Sequence, residues 1–135
     1  MQLSNVTRMW MGILLITVPG VQFGGYFLLK ILTGRAGVRS DAQRSFFRAG
    51  HAHAGVLVIL ALIAQLIVES TSLSSPVQEL VRIGFGAAPI LIPLGFFIGA
   101  PREGNQPRPM ARLIYVGAII LALSAVTLGL GLIFR

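Results

Sequence analysis

Polar and charged residues in this chain gather into short clusters, and between them run long apolar stretches. The stretches lie at Met9–Leu32, Ser45–Val68, Val77–Ala100 and Met110–Phe134. A helix crossing a bilayer core needs about 20 apolar residues, and each stretch is long enough. The pattern predicts an all-α integral membrane protein with four transmembrane helices in an up-down-up-down bundle, forming one domain over residues 1–135. The connections are Thr33 to Arg44, Glu69 to Pro76 and Pro101 to Pro109, which leave no segment for a soluble domain. Pro101 is placed to end the third helix and Pro109 to begin the fourth. The first span has no Ala-x-Ala pattern and is too long for a signal peptide, so it reads as a retained anchor. There is no internal repeat of the kind inverted-repeat transporters carry.

Composition agrees with the pattern. Hydrophobic residues make up 55% of the 135 positions and charged residues only 11%, against about 25% in a soluble domain. The chain has no cysteine, which excludes disulfides and thiolate-held zinc or iron–sulfur clusters. The net charge of +7 does not point to nucleic acid, because the basic residues sit in the loops between apolar spans. Lys30, Arg35, Arg39, Arg44, Arg48, Arg102, Arg108 and Arg112 flank the first and third connections, leaving Arg8, Arg82 and Arg135 for the other side. The positive-inside rule then predicts both termini on the non-cytoplasmic side, in a bacterial inner membrane.

The candidate chemistry lies in Arg48-Ala-Gly-His51-Ala-His53-Ala-Gly55, which holds the only two histidines. Ionisable groups inside a membrane span are costly, so each is a functional-site hypothesis. They fall roughly 9 Å inside the cytoplasmic end at 1.5 Å per residue. Helical residues two apart point about 200° from each other, so His51 and His53 cannot share one metal and must serve different neighbours. His51 shares its face with Arg48, Gly55, Val58, Leu62, Gln65 and Glu69, and is expected to look into the bundle. His53 shares a more apolar face with Phe46, Ala49, Leu60 and Ile67, and is expected to look towards lipid, another subunit or an apolar cofactor. Matching depths across the spans predicts a polar layer of Gln22, Tyr26, His51, His53 and Tyr115, rimmed by Arg48 and Arg112. Either mutual hydrogen bonding or a cofactor would satisfy such a layer.

Haem or another metallo-tetrapyrrole is the cofactor these residues would suit, with His51 and His53 as metal ligands and arginines for the propionates. The small residues around the histidines leave room for a flat macrocycle, and equally allow close helix packing. The His-x-His pattern resembles one helix of the haem–copper oxidase subunit I family, where the two histidines serve cofactors on opposite sides of the helix. The resemblance is confined to this helix; no other span carries a histidine, so the family's activity is not carried over.

Elsewhere, Pro19 with Gly20, Gly24 and Gly25 predicts a kink or close approach, and Pro89 with Pro93 a packed kink. Gly95 and Gly99 form a Gly-x-x-x-Gly pairing match, while Ser124, Thr127, Gly129 and Gly131 read as packing residues. Glu79 and Arg82 read as a simple ion pair. No nucleophile–base pair, paired carboxylates, phosphate loop or metalloprotease motif is present, so enzyme activity of the chain alone is not expected. The reading adopted is a small accessory or structural subunit of a larger membrane complex, respiratory or photosynthetic, contacting a tetrapyrrole through the His-x-His pair. The alternatives are a stand-alone haem-binding electron carrier or oxidoreductase, and a small dimeric transporter or channel. The expected partners are the lipid bilayer and other membrane subunits or further copies of the chain, with no nucleic acid.

Overall fold

Serines begin the first two helices. In the computed structural model, which describes residues 2–134, Ser4 Oγ accepts from Thr7 N–H at 3.1 Å and caps α1, Asn5–Leu32. Ser40 Oγ likewise accepts from Gln43 N–H at 3.1 Å and caps α2, Asp41–Ile67. Gln43 Oε1 accepts in return from Arg39 N–H at 2.7 Å. The serine bonds each satisfy a free donor of a helix start, and the Gln43 side chain ties down the residue before the cap. Both helices therefore begin four residues before the apolar pattern does, because capped polar turns belong to the helix although they are not apolar. At the end of α1, Gly34 takes φ +70° and lets Arg35 N–H donate back to Lys30 O at 2.8 Å.

A 3₁₀ turn, Val68–Ser70, follows α2, then come α3, Ser75–Gly99, a second 3₁₀ turn, Pro109–Ala111, and α4, Arg112–Ile133. Four helices in this order are long and apolar enough to cross a membrane, and the chain reads as an integral membrane protein. Pro19, Pro89 and Pro93 sit inside continuous helices. Consecutive helices run antiparallel. Thr7 at the start of α1 meets Gln65 at the end of α2, and Gln65 meets Arg82 near the start of α3. At the opposite end, Arg108 N–H donates to Gly99 O at 2.9 Å across the third connection. We call these the terminus end and the loop end.

The helices do not contribute equally. α3 is the most buried and packs against α2 on one side and α4 on the other. α1 leans on α2, touches α3 little, and is the most exposed of the four. A core at the terminus end joins Leu14 of α1, Ala61 and Ala64 of α2, Val81 and Phe85 of α3 and Leu128 of α4. At the loop end aromatic rings take over. Phe27 meets Phe47 edge-on at 5.3 Å, and Phe47 stacks on Phe97 at 5.8 Å.

α3 and α4 approach closely because glycines line their seam. A Cβ at Gly95 would lie 2.8 Å from Ile114 N, and one at Gly117 would lie 2.6 Å from Ile92 Cγ1. Gly95 and Gly99 thus form a pairing face, used within the chain.

Candidate functional site

The two histidines diverge as their spacing requires. His53 is exposed on the outer face of α2. Its Nδ1 lies 2.7 Å from Ala49 O. A carbonyl only accepts, so Nδ1 carries the proton and donates, and Nε2 is the lone-pair nitrogen of the neutral ring. The ring stacks on Phe96 at 5.1 Å and 29°, and Phe96 meets Phe46 edge-on at 5.7 Å. Phe46 and Phe96 also line a groove of about 550 Å³ whose polar members are Arg108, Arg112 and Tyr115.

His51 turns the other way, half-buried, towards α1. Its ring edge rests on the backbone of Gly24 and Gly25. A Cβ at either glycine would lie 3.2 Å from the ring, at Nδ1 for Gly24 and at Cε1 for Gly25. Nδ1 is buried and has no hydrogen-bond partner among the described residues. The imidazole forms part of a cleft of about 250 Å³ between α1, α2 and α3. That is smaller than the roughly 300–1,000 Å³ of ordinary ligand pockets, so a tetrapyrrole does not fit on His51. The space beside Gly50 is also filled: a Cβ there would lie 2.9 Å from Phe96 Cβ. On that side the small residue serves close packing of α3 on α2.

The expected polar layer does not assemble. Gln22, Tyr26, Arg48, Arg112 and Tyr115 are all exposed, and none bonds to either histidine. Tyr26 instead lies under the Lys30 ammonium, 5.2 Å from its ring centre. α1 is level with His51 at Gly24 and Gly25, next to Tyr26 in the chain. Its rotation is not the expected one. Close approach of α2 selects the two glycines, and each following residue turns 100° further round the helix, which carries Tyr26 outward. Among the described residues no group of three or more histidine and acidic side chains is placed to hold a metal ion.

The buried polar centre is at the terminus end. Arg82, only 3% exposed, donates to Gln65 Oε1 at 2.8 Å and to Glu69 Oε1 at 3.0 Å. Its Nε lies 3.5 Å from Glu79 Oε1. Gln65, 0% exposed, donates to Arg82 O at 3.2 Å. Thr7 donates to Glu69 Oε1 at 2.6 Å, and Ser4 Oγ bonds to the same oxygen. Three helices are tied through one carboxylate. Sequence reasoning treated Glu79 and Arg82 as an isolated pair and missed this network. Gln65 and Glu69, four apart on the His51 face, were the available signal, because an inward polar face needs a partner at the same depth. Replacing Thr7 by valine removes one donor to Glu69 and is expected to cost about 1–2 kcal/mol, read as a lower midpoint in thermal unfolding in mild detergent.

No family model matches this chain, and neither a curated protein nor a solved structure matches it.

Proposed function

We propose that the chain is a small subunit of a larger membrane assembly and that it offers His53 as an axial ligand to a metallo-tetrapyrrole at the contact with its partner. The observation behind this reading is the state of the His53 ring. Histidines that ligate metals usually donate their other ring N–H to a carbonyl or carboxylate, which fixes the tautomer and aims the lone pair. Ala49 O plays that part, and Nε2 is left for a ligand on an exposed, apolar helix face. Phe96 stacks on the imidazole and holds its plane. Arg108 and Arg112, in the groove that Phe96 also lines, suit the carboxylates such macrocycles carry. A ring ligated at His53 would be covered by this chain on one side only, and that calls for a second subunit on the other.

The test is a visible absorption spectrum of the chain purified in mild detergent from a tetrapyrrole-replete host, beside H51A and H53A. The expected result is a Soret-type band in the wild type and in H51A, lost in H53A. A colourless wild type, or a band that survives H53A, would overturn the reading.

A further inference from the structure

Arg44 and Arg48 stand one turn apart near the start of α2, both exposed, and form one wall of a cavity of about 200 Å³. The other wall is Leu28, Ile31 and Leu32 at the end of α1. We propose that this cavity binds an anionic phospholipid, with the phosphate on the two guanidinium groups and the upper acyl chain on the α1 wall.

Three observations carry this. The first is depth. The cavity lies at the loop end, where α1 finishes and α2 begins. The ends of bilayer-crossing helices lie level with the lipid headgroups. A pocket between two such ends meets phosphates on its outer side and acyl chains on its inner side. Its lining has the same division, with arginines on one wall and aliphatic side chains on the other.

The second is charge. Lys30, Arg35, Arg39, Arg44 and Arg48 surround the first connection, and residues 30–48 carry one carboxylate against them, that of Asp41. Basic pockets between membrane helices suit anionic headgroups.

The third is that the two guanidinium groups have little else to bind. Arg44 lies 3.6 Å from Asp41, whose side chain is 98% exposed, and so exposed a pair is weak. Arg48 makes no ion pair among the described residues. Arg82, by contrast, is fully engaged at the terminus end, and Arg108 donates to Ile98 O at 3.0 Å. A phosphate diester offers acceptor oxygens that guanidinium forks match.

These features decide between ligand classes. A neutral apolar molecule would cover the α1 wall and leave both guanidinium groups unmatched. Free phosphate would pair with the arginines and leave Leu28, Ile31 and Leu32 uncovered. A zwitterionic lipid brings its own cation into a region that is already basic. An anionic phospholipid satisfies both walls.

The experiment titrates dioleoylphosphatidylglycerol into the full chain in detergent micelles and counts retained lipids by native mass spectrometry. Saturable retention of this lipid is expected, and dioleoylphosphatidylcholine should be retained less. R44Q/R48Q should weaken retention about tenfold, through loss of charge-assisted hydrogen bonds. R35Q/R39Q removes the same charge from the same connection but touches no lining residue, and should stay near the wild type. L32E, at a position already 78% exposed, places a carboxylate beside the arginines and should also weaken retention. Inorganic phosphate should not displace the lipid. Equal retention of the two lipids would overturn the assignment, and so would equal losses in the two double variants, which would mean diffuse attraction to a basic surface. Full displacement by inorganic phosphate would assign the site to free phosphate instead. His53 lies nine residues beyond Arg44, about 180° round α2, so this site and the His53 reading fail separately.

Discussion

Arg82→Ala is expected to lower the unfolding free energy by about 3 kcal/mol, the largest loss from any single polar substitution in this chain. The guanidinium is buried and is shared between Gln65 and Glu69. Truncation leaves the Gln65 side-chain oxygen inside the protein without its donor, and leaves Glu69 with only hydroxyl partners. Breaking a buried pair costs about 3–5 kcal/mol because the surviving partner stays desolvated. The lower figure applies here, since the Glu69 side chain is 33% exposed and water can relieve part of the penalty. Lysine should not rescue the loss, because a single ammonium cannot reach two acceptors in the fork geometry Arg82 uses. Thermal unfolding in mild detergent measures the effect. A midpoint equal to the wild type in Arg82→Ala would show that the network holds nothing together. α1 should also loosen, because Thr7 and Ser4 grip the same carboxylate that Arg82 holds.

Gly99→Ala is expected to destabilise by about 2–3 kcal/mol, against the ordinary trend for glycine in a helix. Alanine normally gains up to about 1 kcal/mol over glycine at a helical position. At Gly99 the new Cβ would lie 2.6 Å from both N and Cα of Ala111, and backbone cannot rotate aside as a side chain does. Gly99 is not among the positive-φ glycines, so the penalty comes from contact alone. Gly12→Ala is the matched control. Nothing lies within 4 Å of its added Cβ, and it should be neutral or slightly stabilising. Opposite signs for the two substitutions in the same unfolding assay are the expected outcome. A stabilising Gly99→Ala would mean that the contact between the end of α3 and the second 3₁₀ turn is looser than its geometry implies.

The helices were legible in the sequence because length and hydropathy are properties of a segment by itself. Their starts were misplaced by four residues at Asn5 and Asp41, since hydropathy is blind to capped polar turns. The Ser40-x-x-Gln43 spacing carried the missing signal. The divergence of His51 and His53 was also readable, because 100° per residue holds for any helix. Depth was readable too, since short connections bring the α1 residues near Gly24 level with His51.

Rotation was not readable. Whether Gly24, Gly25 or Tyr26 faces α2 depends on which side lets two helices approach most closely, and that is a property of the pair. The glycines allow the closest approach, so Tyr26 faces outward and the polar layer disperses. Burial of Arg82 is decided in the same way. Its position in sequence marks the end of a span, where an arginine usually meets water or headgroups. Only the meeting of α1, α2 and α3 places a glutamine and a carboxylate around it. The sequence by itself determined the number of spans, their order and the split between the two histidines, all consequences of local geometry and hydropathy. The tertiary structure alone decided which faces meet, because close packing rewards small residues at a seam and buried polar groups tolerate only neighbours that bond them.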